Sequence, residues 1–208
     1  GNLAEFGAYY KIKRGMSQKD DKHFEKLLTH RFKKNNFSNA EEELYNSINI
    51  ANKFEEKLYE RQLRNIVSYQ KEKVENIEGL KYPVRLFTDF EYDNLIVDLK
   101  STLRLPTKPK IDHIRQQALY STLHNKPISL LYATPKKTLW YDLTKQDVKN
   151  GYQELVRDFK SLENYIDMCS NDIEKAIKIT PLNTDPSPFY WDNNIKRAAI
   201  KVWENIGK

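Results

Sequence analysis

The chain has 208 residues, 39% hydrophobic and 31% charged, which is typical of a soluble globular protein with a proper core. No apolar run approaches the roughly 20 residues that span a bilayer, no secretory signal is visible, and the single cysteine excludes an internal disulfide and an iron–sulfur cluster. With 35 basic and 29 acidic residues, the net charge of +6 permits a nucleic-acid partner, and we expect a cytoplasmic protein without a membrane partner.

Residues 1–70 are predicted to be helical. Apolar side chains recur at helical spacing between Lys19 and Lys34. Ser38 and Glu41 then form a capping-box pattern that starts a second helix, which we expect to continue towards Tyr69.

Residues 71–143 are predicted to form the sheet, because apolar and polar residues alternate and turn residues separate the runs. The first strand is weakly indicated, whereas the second and third form a clear hairpin. The predicted strands cover residues 74–80, 84–90, 95–100, 128–133 and 138–143, and a helix at 111–123 separates the third from the fourth.

Residues 144–208 are predicted to be helical again. Thr144 and Asp147 start a long amphipathic helix, and a proline-rich loop leads to a last helix from Asp192 to Ile206. Neither a repeat nor a domain linker is visible. The sequence therefore predicts one α/β domain, a central mixed sheet of about five strands flanked by helices, with helical N-terminal and C-terminal extensions.

Three charged residues on the first predicted hairpin suggest chemistry. Side chains alternate along a strand, so Asp98 and Lys100 share one face. A turn of two or four residues would pair Asp89 with Ile96, which puts Asp89 on that same face as a diagonal neighbour of Asp98. One hard cation would fit between the two carboxylates. The alternative is a solvent-exposed ladder of charges, and a three-residue turn would break the arrangement altogether.

This stretch resembles the PD-(D/E)XK nuclease superfamily, in particular its RecB-like and phage exonuclease branch. In that family an Asp ends one strand and, after a short turn, an apolar strand carries Asp/Glu-x-Lys. Asp89 and the segment Ile96-Val97-Asp98-Leu99-Lys100 match this pattern. Gln116 and Tyr120 match the Gln-x-x-x-Tyr that the RecB-like branch adds on the next helix.

The resemblance is good from about Leu80 to Leu143, and it implies a restriction-endonuclease-like core. Two features depart from the family. Leu86 stands where a Gly is common, and no upstream glutamate aligns unambiguously with the first acidic motif.

The resemblance implies a site for one or two Mg²⁺ or Mn²⁺ ions. Its expected ligands are Asp89, Asp98, the carbonyl of Leu99 and a histidine on an early helix. His23 is preferred for that role over His30, because the residues after it look more like the family's motif.

The implied activity is phosphodiester hydrolysis by a DNA exonuclease, phage-encoded and acting in recombination, repair or degradation in the host cytoplasm. Lys100 would activate the water or stabilise charge, and Gln116 and Tyr120 would orient the phosphate or the lysine. A DNA endonuclease of the same fold and a non-catalytic DNA-binding protein are the alternatives. A single-strand annealing or recombination protein is a further expected partner.

Basic side chains near the predicted site are candidate contacts to the DNA backbone, although each also fits an ordinary solvated surface. His113 and His124 flank the Gln/Tyr helix and are interpreted as structural or DNA-contacting residues rather than metal ligands. The basic candidates are Arg104, Lys108, Lys110, Arg115, Lys136 and Lys137.

Overall fold

A computed structural model describes residues 2–15, 21–32 and 40–170, together with residues 172, 175 and 197. The chain divides into two compact units, one of residues 1–78 and 82–155 and the other of residues 79–81 and 156–208. No helix in the described ranges is long and apolar enough to cross a membrane.

The first unit holds a five-stranded sheet whose order follows the chain. The third and fourth strands are parallel and the other neighbours are antiparallel, so the predicted mixed sheet is confirmed. The first strand, predicted at residues 74–80, lies earlier. The strands are β1 (Ser68–Glu75), β2 (Val84–Glu91), β3 (Ile96–Ser101), β4 (Ile128–Ala133) and β5 (Thr138–Asp142).

Within the described ranges, five helices flank the strands, as an α/β fold requires. The predicted C-terminal helix at 192–206 and the proline-rich loop before it lie outside the described residues. The helices are α1 (Asn2–Arg14), α2 (Asp21–Phe32), α3 (Ala40–Glu60), α4 (Ile111–His124) and α5 (Lys145–Met168).

The expected continuation of the second predicted helix to Tyr69 is wrong, because α3 ends at Glu60 and Tyr69 belongs to β1. Gln62 adopts a left-handed conformation with φ of 59°, and the N–H of Leu63 bonds back to the carbonyl of Leu58 at 2.9 Å. This is the Schellman arrangement, which normally has glycine at the left-handed position. A glutamine there left no signal in the sequence.

The start of α5 follows the predicted capping pattern. The N–H of Thr144 donates to the carboxylate of Asp147, and the N–H of Asp147 donates to the hydroxyl of Thr144. The two bonds satisfy backbone donors that a helix start leaves unpaired. Ser38, the other predicted capping residue, lies outside the described residues.

The two faces of the sheet are covered by different helices. Val97, Leu99 and Leu131 belong to a buried apolar cluster with residues of α1 and α3. The alternate residues of β3 and β4 face α4, the helix that crosses over between these two parallel strands. Asp98 and Lys100 therefore lie on the α4 face.

Gly7 brings α1 close to its neighbours. A Cβ atom at this position would lie 2.8 Å from the Cβ of Ala51 and 3.0 Å from the ring of Phe24. Both neighbours are fully buried. Only glycine therefore fits this packing without moving a helix.

Candidate active site

The hairpin of β2 and β3 sets the geometry of the site. Glu91, rather than Asp89, is paired with Ile96, so the expected register was wrong by two residues. The turn covers residues 92–95 and is closed by a backbone hydrogen bond between its first and last residues. A two-residue shift preserves the face to which each side chain points. Asp89 therefore still lies beside Asp98, as predicted, although the register differs.

The carboxylate of Asp89 takes the place of a ladder hydrogen bond. It accepts the backbone N–H of Leu99 at 3.0 Å, and it also hydrogen-bonds to the carboxyl group of Asp98. Burial raises the pKa of Asp89, which the bond from Leu99 partly opposes. Two acidic side chains from neighbouring strands thus meet at one point of the sheet.

Asp98 is almost completely buried, with 2% of its surface exposed. Its Oδ2 lies 2.7 Å from the Nζ of Lys100, a close ion pair whose direction does not meet hydrogen-bond geometry. Burial, and then the neighbouring charge of Asp89, raise the pKa of Asp98 to about 8. Without a further cation this carboxyl group therefore carries a proton near neutral pH.

The ammonium of Lys100 remains charged in this environment. Burial alone would lower its pKa, but the carboxylates of Asp98, Asp89 and Glu5 raise it. The lysine forms its ion pair with Asp98.

A polar stripe on α4 holds Lys100. Its Nζ donates to the side-chain oxygen of Gln116 at 3.3 Å, and the amide nitrogen of Gln116 donates to the hydroxyl of Tyr120 at 3.1 Å. The two α4 residues lie four apart, on one face of the helix. The structure thus brings Gln116 and Tyr120 together with the predicted lysine.

Glu5 on α1 was not predicted as a site residue. It is buried, and burial and then the charge of Asp89 raise its pKa to about 7. Glu5 stands 84 residues before Asp89, so tertiary packing brings them together. The sequence does contain one weak signal, because Glu5 is the only acidic residue in α1.

A cavity of about 280 Å³ opens beside Lys100. Its basic lining residues are Lys100, Arg104 and Lys110, and Glu5 contributes the acidic one. Concave sites with a few converging polar groups are the usual places for ligand binding.

The six basic candidates for DNA contact separate into groups. Arg104 and Lys110 line the cavity, whereas Lys108 is exposed on the connection between β3 and α4. Arg115 is paired with a carboxylate of α5 at 2.7 Å. Residues 136 and 137 are exposed lysines in the β4–β5 turn, where they line a separate groove with α3.

The histidine candidates do not complete a metal site in the described part of the chain. His23 lies on α2, but its side chain is outside the described residues, so its role as a ligand stays a prediction. His30 is exposed on the same helix. His113 lines the cavity, and the buried side chain of His124 lies 3.9 Å from Glu91.

Asp89 and Asp98 match the kind of donor that Mg²⁺ and Mn²⁺ prefer, because both offer carboxylate oxygens and Asp98 Oδ2 lacks a normal hydrogen bond. Among the described residues, no group of three or more His, Cys, Asp or Glu side chains is arranged to hold a metal ion. The pair therefore fits a hard divalent cation by its chemistry, with a ligand set that is incomplete.

Comparison with known proteins assigns no family. No family model and no curated protein match the sequence. A solved structure described as "Crystal structure of SSO0001" is similar at a TM-score of 0.37 and 18% identity, over 65% of this chain and 70% of that one. Similarity at this level indicates neither a family nor an activity.

Proposed function

We propose that the protein is a divalent-metal-dependent deoxyribonuclease that hydrolyses phosphodiester bonds, as an exonuclease. The observation that carries this proposal is the meeting of Asp89, Asp98 and Lys100 on one face of the β2–β3 hairpin. Buried charges are costly unless they are paired or bind a metal, and one ammonium does not balance two carboxylates, so Asp98 keeps a proton unless a cation is bound. The resemblance to PD-(D/E)XK nucleases gives this cluster a chemical role.

Asp89 and Asp98, with the Leu99 carbonyl and His23 as the further expected ligands, would hold one or two Mg²⁺ or Mn²⁺ ions. Such an ion lowers the pKa of bound water and neutralises charge on the phosphate oxygens. The carboxyl group of Asp98, whose pKa is raised to about 8, must lose its proton before it can bind a cation. Cation binding should therefore release protons, most strongly below pH 8.

The raised pKa of Lys100 favours one of its two expected roles. A protonated amine cannot accept a proton from water, but it stabilises negative charge that develops on a phosphoryl or leaving oxygen. Gln116 fixes the position of that ammonium, and Tyr120 fixes Gln116. The two α4 residues are therefore proposed to orient the lysine.

The substrate assay compares linear with circular duplex DNA in the presence of Mg²⁺, Mn²⁺ or EDTA. We expect degradation of linear DNA alone, with either metal and not with EDTA. Nicking of circular DNA would replace the exonuclease assignment by an endonuclease. Retarded migration without cleavage under every condition would contradict catalysis and identify a DNA-binding protein. A recombination or single-strand annealing protein stays a predicted partner.

A further inference from the structure

Tyr132 extends the site onto β4. It is the direct neighbour of Lys100 in the parallel β3–β4 ladder, so both side chains point to the α4 face. Its ring is buried and stacks on His113 with ring centres 5.6 Å apart. Its hydroxyl lies 2.7 Å from Nδ1 of His113 and accepts the backbone N–H of Lys110 at 3.3 Å.

These two contacts favour one of the two positions for the proton of a neutral His113. The N–H of Lys110 can only donate, so the hydroxyl of Tyr132 accepts there and its own proton is left for another partner. Among the described residues the one acceptor bonded to that hydroxyl is Nδ1 of His113. A neutral imidazole that accepts at Nδ1 carries its hydrogen on Nε2.

Nε2 of His113 is available to a ligand. It has no hydrogen-bond partner within the described ranges, and His113 lines the cavity together with Lys110 and Arg104. Neither of these two cations forms an ion pair with another described residue. Burial, and then the nearby charges of Lys100 and Lys110, lower the pKa of His113, which favours the neutral donor.

We propose that His113 donates its Nε2–H to a non-bridging phosphate oxygen of the DNA strand bound in this cavity, and that Tyr132 fixes the required tautomer. The inference rests on the proposed function for the identity of the ligand. A phosphodiester matches the lining, since Arg104 and Lys110, which form no ion pair within the described part of the chain, lie on one concave surface with the neutral donor, and Glu5 is the acidic residue there.

Two conservative variants separate this role from a structural one. The amide nitrogen of Gln reaches the position of Nε2, whereas the amide of Asn reaches that of Nδ1. We expect His113→Ala and His113→Asn to weaken binding of a fluorescein-labelled duplex oligonucleotide about tenfold, and His113→Gln to stay within about threefold of wild type. Fluorescence anisotropy in EDTA measures binding without cleavage. Rescue by Asn and not by Gln would overturn the proposal, as would equal affinity for all variants.

The salt dependence gives a second readout. A neutral donor releases no counterion, so His113→Ala should leave the slope of log K against log salt unchanged. Lys110→Ala should reduce that slope by about 0.9. A loss of slope in His113→Ala would identify a charged histidine and contradict the assigned tautomer.

Tyr132→Phe tests the tautomer through the same assay. It retains the buried ring and removes the hydroxyl, and it should weaken binding several-fold when His113 is present and have little effect in His113→Ala. Independent effects in the double variant would overturn the coupling.

Binding and cleavage by the wild-type protein test the proposed function separately from the His113 variants. Wild-type protein that binds the oligonucleotide without cleaving DNA would remove the nuclease assignment, and the His113 series would still be decided by affinity. Wild-type protein that does not bind the oligonucleotide in EDTA would overturn the His113 proposal, and the cleavage assay with Mg²⁺ or Mn²⁺ would still decide the nuclease assignment.

Discussion

Two carboxyl groups on β2, Asp89 and Glu91, have pKa values that are shifted in opposite directions. Asp89 belongs to the active-site cluster, which we define as Asp89, Asp98 and Lys100. Glu91 belongs to a second cluster, which we call the Glu91 cluster and which also contains Ser68 and Lys126. In the first, the pKa of Asp98 is raised to about 8, and in the second, the pKa of Glu91 is lowered to about 2.

The difference lies in the number of donors. Burial alone would raise the pKa of Glu91, but its carboxylate accepts hydrogen bonds from Lys126 and Ser68, each at 2.7 Å, and these lower it. Lys126 also donates to the carbonyl of Tyr92 at 3.0 Å. Asp98 instead has a second acid beside it. A carboxylate with matched donors stabilises a fold, whereas one with too few retains binding capacity for a ligand.

The largest expected effect separates the two clusters by activity. Asp98→Asn and Lys100→Met should each lower the rate of DNA cleavage at least a hundredfold, because the first removes a proposed metal ligand and the second the ammonium proposed to stabilise the developing charge. Glu91→Gln is the matched control, since it neutralises a buried carboxylate on the same hairpin and should retain cleavage. Initial rates on linear duplex DNA measure the effect. Wild-type rates in either active-site variant would refute the site assignment.

The next effect concerns pH and metal. The pKa of Asp98 is about 8 in the folded protein and ordinarily 3.8, so the unfolded chain loses this proton first as pH rises. The contribution of Asp98 to the free energy of unfolding is therefore complete below about pH 4, and it is lost as the pH rises through 8. We expect a loss on the order of 3 kcal/mol in EDTA, seen as a falling melting temperature.

Glu5, whose pKa is raised to about 7, acts in the same direction. Mn²⁺ at a hundred times its dissociation constant should restore about 2.7 kcal/mol. Asp98→Asn should weaken both the pH dependence and the response to Mn²⁺. A flat melting temperature between pH 5 and 8 in EDTA would show that the cluster is not electrostatically strained.

A somewhat smaller effect tests the Glu91 cluster through stability. Lys126→Met removes the main donor to Glu91 and should lower the free energy of unfolding by about 2 kcal/mol, since the lysine is partly exposed and solvent replaces some of the lost interaction. Urea titration at pH 7 gives the value. Cleavage per folded molecule should not change. A parallel loss of cleavage in the folded protein would connect the two clusters functionally.

The smallest expected effect lies on α4. Gln116→Leu should lower cleavage about tenfold, because Lys100 loses the acceptor that fixes its ammonium, and Tyr120→Phe should cost only a few-fold. The effect should appear in kcat rather than in KM, since neither residue is assigned to binding the strand. An equal loss for both variants would mean that Tyr120 contacts the substrate directly.

The local sequence pattern was sufficient to predict most strands of the sheet. Alternation along β3 placed Asp98 and Lys100 on one face, and the four-residue turn kept Asp89 there despite a register that was wrong by two. Helical spacing placed Gln116 and Tyr120 together. Each of these predictions depends on residues close in sequence, where the period of the secondary structure decides the direction of a side chain.

Features that depend on tertiary packing could not be predicted in this way. Glu5 reaches the cluster only because α1 packs against the sheet, and Tyr132 meets His113 only because α4 crosses between parallel strands. The end of α3 was missed because Gln62 occupies the left-handed position after the helix, where glycine is the usual residue.

The glycine at position 7 has a consequence for the acidity of the candidate site. A single methyl group there would have to separate the first helix from Ala51, and that helix also carries Glu5 two residues earlier. A substitution at Gly7 would thus change the distance between Glu5 and the two aspartates. A change in apolar packing would then alter the acidity of Asp89 and Asp98 without replacing either residue.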